Sequence, residues 1–349
     1  MGGEIGKEKQ MGRKIAIWPV ILIFCTVALL AFSLGGRAAG PDPKKVSAVL
    51  KAGGGAVGGV GFMVLTGLSK VVRDSYPKLE LTVVPGGWVG NLFRVNTGEL
   101  DIGSTTIAMC ALAQGKKAPF NKPLPKVKAL YSTQDKLYYF AIFRKDAPIN
   151  SIGELFEKKP AVSMCILQKG TTVELMWRTI LESQGVTWDD LPKWGAKINF
   201  VAWGDAVNLV KDGHADGILS VGTKQIGWAS DLTNSRDMKI LTWENRFLKM
   251  MSKNFGFGEG SIPANTYKGI SKAVLCPTDS GEIIVNANVP DTPVEAILTA
   301  VADHPEKYAQ THKALAQFTA KGMAKNLKLP LHPAALKFYK SRNIPLPME

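Results

Sequence analysis

Cysteine is scarce: the 349 residues contain four. Cys25 lies in an apolar N-terminal run, and Cys110, Cys165 and Cys276 are an odd number, so one stays unpaired in a monomer. No C-x-x-C occurs, which excludes a dithiol redox motif and a zinc ribbon. The three read as small buried hydrophobes. Histidine is as scarce: His214, His304, His312 and His332, none with zinc-ligand spacing. His214, between Gly213 and Ala215, reads as a polar turn residue, and His332 before Pro333 as a helix start. There is no G-x-S-x-G elbow. Val60-Gly61 stands where a P-loop would carry Lys-Ser or Lys-Thr. No catalytic set, metal or cofactor is therefore expected. Low-complexity tracts are also missing, and a chain 46% hydrophobic and 21% charged is globular.

Acidic residues are the minority, 29 against 43 Lys and Arg, for a formal net charge of +14. The lysines are scattered and no nucleic-acid motif accompanies them, so the surface reads as solvated and basic rather than nucleic-acid binding. A field of that sign favours anionic small molecules. At the N-terminus Arg13 and Lys14 precede an apolar run over 15–34, followed by Gly35, Gly36, Ala38, Ala39 and Gly40. Charged, apolar, then small is the order of a secretory signal peptide, expected over 1–40. The run is long enough to span a bilayer, so an uncleaved anchor is the alternative. Phe24 before Cys25 is too large for a lipoprotein cleavage site. Either reading exports the body to the periplasm, away from the cytoplasmic NAD pool.

Glycine is where the chain is rich. Residues 52–61 read AGGGAVGGVG, after an apolar strand at 46–50 and before a helix over 62–72. Strand, glycine turn, helix leaves backbone N–H groups open beside the positive end of a helix. A carboxylate or phosphate can sit there on main chain alone. Gly53, Gly55 and Gly58 also satisfy the G-x-G-x-x-G dinucleotide pattern, with Asp74 early for the ribose acid. A structural turn, a cofactor loop and another small-anion site all remain open on this loop alone.

The rhythm continues. A strand at 79–84 ends at Pro85-Gly86-Gly87; a helix over 91–96 is followed by Gly98-Glu99-Leu100-Asp101-Ile102-Gly103; further strands read at 127–131 and 137–143. From residue 149 the organisation repeats: a strand at 161–166, the turn Gln168-Lys169-Gly170-Thr171-Thr172, and a helix over 173–184. Strands at 198–201 and 216–221 flank a helix at 205–212, a strand reads at 282–287, and helical pattern runs over 292–318 with a break at His304-Pro305. Two similar α/β lobes across a cleft are implied, with ligand outside the carboxyl ends of the strands. Trp177 reads as core, whereas Trp88 and Trp203 stand at strand ends and read equally as cleft walls or packing.

These segments together resemble the TAXI family, the extracytoplasmic solute receptors of tripartite ATP-independent periplasmic (TRAP) transporters. The likeness covers nearly the whole mature chain in order. It rests on the loop from Gly53 to Gly59, on Pro85-Gly86-Gly87-Trp88-Val89-Gly90-Asn91-Leu92 and Gly98-Glu99-Leu100-Asp101, on Lys169-Gly170-Thr171-Thr172-Val173-Glu174 and on Asp212-Gly213-His214-Ala215-Asp216-Gly217. Ile262-Pro263-Ala264-Asn265-Thr266-Tyr267 and Leu329-Pro330-Leu331-His332-Pro333 complete it. The resemblance implies a two-lobed type II periplasmic-binding-protein fold, a small-molecule ligand, hinge closure, and delivery to TRAP permease subunits by a monomeric, non-catalytic receptor. Lobe I is expected over 46–145 and 256–349, and lobe II over 146–255. The expected cleft residues are Gly55, Ala56, Val57, Gly58, Gly87, Trp88, Asn91, Thr105, Thr106, Lys169, Gly170, Thr171, Thr172 and Trp203. Ala56-Val57 replace the family's usual Ser or Thr, Gln168-Lys169 its small Gly-Ser pair, and Ser104-Thr105-Thr106 a frequent Gln and Asp. Lys169 with two converging helix N-termini suits a carboxylate, with Val57 and a tryptophan on its apolar end.

Overall fold

A computed structural model describes residues 1–3, 40–55, 57 and 59–346. The expected signal segment, Ala56 and Gly58 lie outside the described residues. The body begins at Gly40 and is built on two sheets.

Elements alternate along the chain. The first strands and helices are β1 (Ala48–Gly53), α1 (Val60–Ser75), β2 (Leu79–Val84), α2 (Trp88–Thr97), β3 (Ile102–Thr106), α3 (Ile107–Gln114), β4 (Val127–Ser132) and β5 (Leu137–Arg144). There follow α4 (Ile152–Lys158), β6 (Ser163–Ile166), α5 (Thr172–Glu182), β7 (Lys197–Phe200), α6 (Trp203–Lys211), β8 (Gly217–Gly222), α7 (Gly227–Ser235), β9 (Met238–Ile240) and α8 (Asn245–Phe255). The chain ends through β10 (Gly258–Ile262), β11 (Val274–Asp279), β12 (Gly281–Asn286), α9 (Asp291–Asp303), α10 (Pro305–Thr311) and α11 (Pro333–Ser341). No helix among the described residues is long and apolar enough to cross a membrane.

One sheet runs β2-β1-β3-β12-β4, with β12 antiparallel to both neighbours. The other contains β7-β6-β8-β5-β9, with β5 antiparallel to β8, β9 and β11. The same order is thus built twice. In each sheet the antiparallel strand has come from the other: β5 follows β4, and β12 follows β11. Strands β10 and β11 extend the second sheet beyond β5.

The sheets exchange strands at Ser132 to Leu137 and at Asp279 to Gly281. The lobe boundaries read from sequence, at 145 and 256, leave β5, β10 and β11 with the first lobe, whereas their pairing places them in the second sheet. Every residue of β5 before Arg144 is buried, so its pattern carries no hint of which sheet it joins.

Local signals explain the boundaries. Helix α1 buries Val64, Leu65, Leu68, Val71 and Val72, a single stripe at helical spacing. Gly98 in the left-handed region ends α2. His332 caps α11, its Nδ1 accepting the Ala334 N–H at 3.2 Å. Cys110, Cys165 and Cys276 are free and buried. Trp177 is buried in the second lobe, packed on Trp243.

Candidate functional site

The first wall of the site is the start of α1. Its N-cap, Gly59, is extended and offers no side-chain cap, and the first turn has no acidic residue. The orphan N–H groups there are therefore not answered by a carboxylate of the same helix. The loop reaches this position because glycine permits close approach: a Cβ on Gly54 would sit 2.8 Å from Phe62 Cα. Gly61 is as constrained, since a Cβ there would meet Ser104 Oγ and Trp88 Nε1, each at 2.9 Å.

A cavity of about 10 Å³, room for roughly one water, opens at this point. Val60, Gly61, Val64, Trp88, Ser104 and Thr105 form one side, and Thr133, Asp135, Gly281 and Glu282 the other. Ser104 Oγ is buried without a hydrogen-bond partner. The Thr105 hydroxyl donates to the Trp88 carbonyl at 2.9 Å and so fixes the turn that presents the ring. Thr106 is buried at the N-cap of α3. Gly87 has open space beside its Cα, and Val57 is 72% exposed.

Asn91 faces inward. Its Nδ2 lies 2.9 Å from Gly53 O, 2.8 Å from Gly54 O and 2.8 Å from Ser104 O, joining the glycine loop, α2 and β3. Its amide donors are spent on backbone carbonyls, so Asn91 holds the loop that carries the site.

The floor is the strand exchange. Asp135 Oδ1 accepts the Thr133 hydroxyl at 2.6 Å and the Gly281 N–H at 2.6 Å. Asp279 Oδ1 accepts the N–H groups of Ala108 and Ser280. Glu282 is fully buried, with the Cys110 thiol and the Lys328 backbone N–H beside its carboxylate. Burial pushes Asp279 up to about 7 and Glu282 up to about 8, and raises Asp135.

The second lobe contributes a loop of different character. Thr171 caps α5, its hydroxyl accepting the Glu174 N–H at 3.3 Å and donating to Gln168 O at 2.8 Å. Gly170, at φ +85, donates its N–H to Glu174 Oε2 at 3.1 Å. Glu174 is buried, also receives Trp188 Nε1 at 2.7 Å, and forms an ion pair with Arg178, Nε at 3.2 Å. Part of the anion-binding capacity expected of this loop is thus satisfied by the chain's own carboxylate. Thr172 is the first residue of α5. Lys169 is exposed, its ammonium 4.9 Å from the centre of the Phe200 ring. Trp203, the first residue of α6, stacks on Trp228 at 5.4 Å and 17°. No hydrogen bond among the described residues joins these loops to the glycine loop of the first lobe.

The structure therefore brings Trp88 and Thr105 together beside the glycine loop and leaves Lys169 to Thr172 and Trp203 on the other lobe. Gly61, Ser104, Asp135 and Glu282 were not among the expected residues. Glu282 had a legible signal, an acid at the head of the apolar run Ile283-Ile284-Val285.

The family model described as NMT1-like matches residues 52–342, from the end of β1 to just past α11. The chain belongs to the NMT1-like family. This NMT1-like chain also resembles solved structures in outline. The periplasmic aliphatic sulphonate binding protein SsuA from Escherichia coli shares 14% identity over 85% of this chain and 84% of that one, at TM-score 0.44. XAC2383 from Xanthomonas citri, bound to chloride ion, shares 13% over 84% and 99%, at TM-score 0.47. The periplasmic binding protein BugD shares 13% over 84% and 94%, also at TM-score 0.47.

Proposed function

We propose that this NMT1-like chain is an exported, non-catalytic solute receptor that captures a small organic molecule between its lobes. On this reading it is periplasmic and monomeric, and delivers the solute to the permease of a TRAP-type transporter. The observation that carries the reading is the twice-built strand order joined by two adjacent crossings. Such a joint lets two rigid lobes rotate, and a ligand touching both stabilises the closed arrangement. The finer assignment, to the TAXI receptors of TRAP systems, rests on the ordered set of glycine, Asp-Gly and Pro motifs along the chain.

The ligand is proposed to carry a carboxylate. Its negative end is assigned to the uncapped N-terminus of α1, where Ser104 Oγ stands without a partner and Trp88 Nε1 lies close by. Asp135 borders the floor, so the negative end is assigned to the glycine-loop side. Gly55, Val57 and Gly87 are assigned to that side, while Lys169, Gly170, Thr171, Thr172 and Trp203 close from the second lobe.

Native mass spectrometry of the purified protein tests this. A retained small organic acid, confirmed by calorimetry after its removal, is the expected result. A neutral molecule would end the carboxylate assignment, and tight binding of NAD or ATP instead of organic acids would end the receptor reading.

A further inference from the structure

Three carboxylates are buried where the sheets exchange strands: Asp135 at 3%, Asp279 at 5% and Glu282 at 0% exposure. None has an ion-pair partner among the described residues. Their support is uneven. Asp135 Oδ1 accepts three hydrogen bonds, from Thr133, Gly281 and, at 3.3 Å, the Ser280 hydroxyl. Asp279 has two backbone N–H groups on Oδ1 and the Thr106 hydroxyl beside its carboxylate. Glu282 has only the Cys110 thiol and the Lys328 backbone N–H beside its carboxylate.

The charges around them do not compensate. Asp279 faces both Glu282 and Asp135, and each pair repels when ionised. Lys328 is the one cation felt by Glu282, and its side chain lies on an exposed residue. Cys110 and Tyr339 also face Glu282, Tyr139 faces Asp279, and Tyr308 and His312 face Asp135. Burial holds the thiol and the phenols protonated, and it lowers His312, so none of them adds positive charge near neutral pH. A bare carboxylate in such a place costs several kcal/mol, and a proton removes the cost.

The placement couples this proton to movement. Residues of the first crossing line two cavities. Thr133, Asp135 and Leu137 face the water-sized cavity beside the glycine loop, with Glu282. Ser132, Gln134 and Lys136 line a second cavity of about 450 Å³, with Asp279. Asp135 borders both. Opening on the glycine-loop side would bring water to Glu282 through the cavity it lines.

We propose that the strand crossing is a proton latch: Glu282 takes a proton from water as the lobes close over the glycine loop and returns it to water as they open. Raising the pH then favours the open form. The latch rests on the hinged-receptor reading, yet its test needs no solute. In difference infrared spectra of the full chain, the carbonyl band of a protonated carboxylic acid is expected at neutral pH. It is lost on titration to about pH 9 and diminished in Glu282→Gln. Small-angle scattering should show the wild type expanding over that same titration, and Glu282→Gln unchanged by it. No protonated-acid band at neutral pH, or an equal pH response of scattering in Glu282→Gln, overturns the latch. Should that variant fail to fold, the wild-type infrared and scattering titrations decide together: both must shift over one pH range. A titrating band without any change in scattering sinks the latch and leaves the receptor reading untouched. Titration of both, in a protein that binds no small molecule, supports the latch and strikes the receptor reading alone.

Discussion

Asp135 takes the Gly281 N–H at 2.6 Å across the two strand crossings, while Thr133 N–H reaches Gly281 O at 2.9 Å. The two segments that connect the lobes are therefore tied to each other as well as to their sheets. A joint tied in this way bends as one ribbon, which is what a hinge between two rigid lobes requires.

Removing the tie should loosen the whole molecule. Asp135→Ala deletes the acceptor for three donors in a buried place, and a loss of about 2–4 kcal/mol in unfolding free energy is expected. Urea unfolding followed by tryptophan fluorescence measures it. A midpoint equal to the wild type would show that the tie carries no stability.

Gly61→Ala crowds the site. The added methyl would lie 2.9 Å from Ser104 Oγ and from Trp88 Nε1, so one of them must shift, against a helix gain of about 0.5–1 kcal/mol. Melting should fall, and binding of the solute recovered with the protein should fall at least about tenfold, roughly 1.4 kcal/mol. Wild-type affinity in calorimetry would place the ligand elsewhere.

Asn91 tests the clamp on the glycine loop. Asn91→Ala leaves the carbonyls of Gly53, Gly54 and Ser104 without this donor, and about 2–4 kcal/mol of stability should go with it. Asn91→Asp should be no better, because it sets a carboxylate against those same oxygens. If Asn91→Asp unfolded at the wild-type denaturant concentration, the amide's role as a clamp would be refuted.

Lys169 tests the second lobe. On the carboxylate reading, Lys169→Ala weakens binding by about 1.5–3 kcal/mol, the range for a hydrogen bond to a charged group. The ammonium already lies over the Phe200 ring, so Phe200→Leu should weaken binding in the same direction through loss of positioning. Calorimetry that finds Lys169→Ala as tight as wild type removes the lysine from the site.

Stability should fall as the solution becomes alkaline. Glu282 and Asp279 have folded values raised, to about 8 and about 7, above those of the unfolded chain. Between the unfolded and folded values the native state holds the extra protons, so stability is greatest at the acid end of that window and declines through it. A decline on the order of 3 kcal/mol from about pH 5 to pH 9 is expected in chemical denaturation. Glu282→Gln should flatten most of it, and an equal slope in that variant would assign the titration to other groups.

The sequence by itself determined the local devices. Glycine at 53–55, 59 and 61 with an apolar stripe after it can only be a tight approach into a helix. The alternation of strand and helix, the His332 cap and the burial of the three cysteines followed from residue type and spacing. Only the tertiary structure decided which sheet each strand joins. Leu137–Arg144 is buried on both faces, and a strand without a polar face carries no record of its neighbours. The tertiary structure also decided which polar residues meet. Asp135, Asp279 and Glu282 come from segments far apart in the chain, and the strand exchange alone puts them in one buried place. Asn91 looked like a cleft residue because it follows a glycine turn. It turned inward because three carbonyls from separate segments converge there, and a buried carbonyl needs a donor.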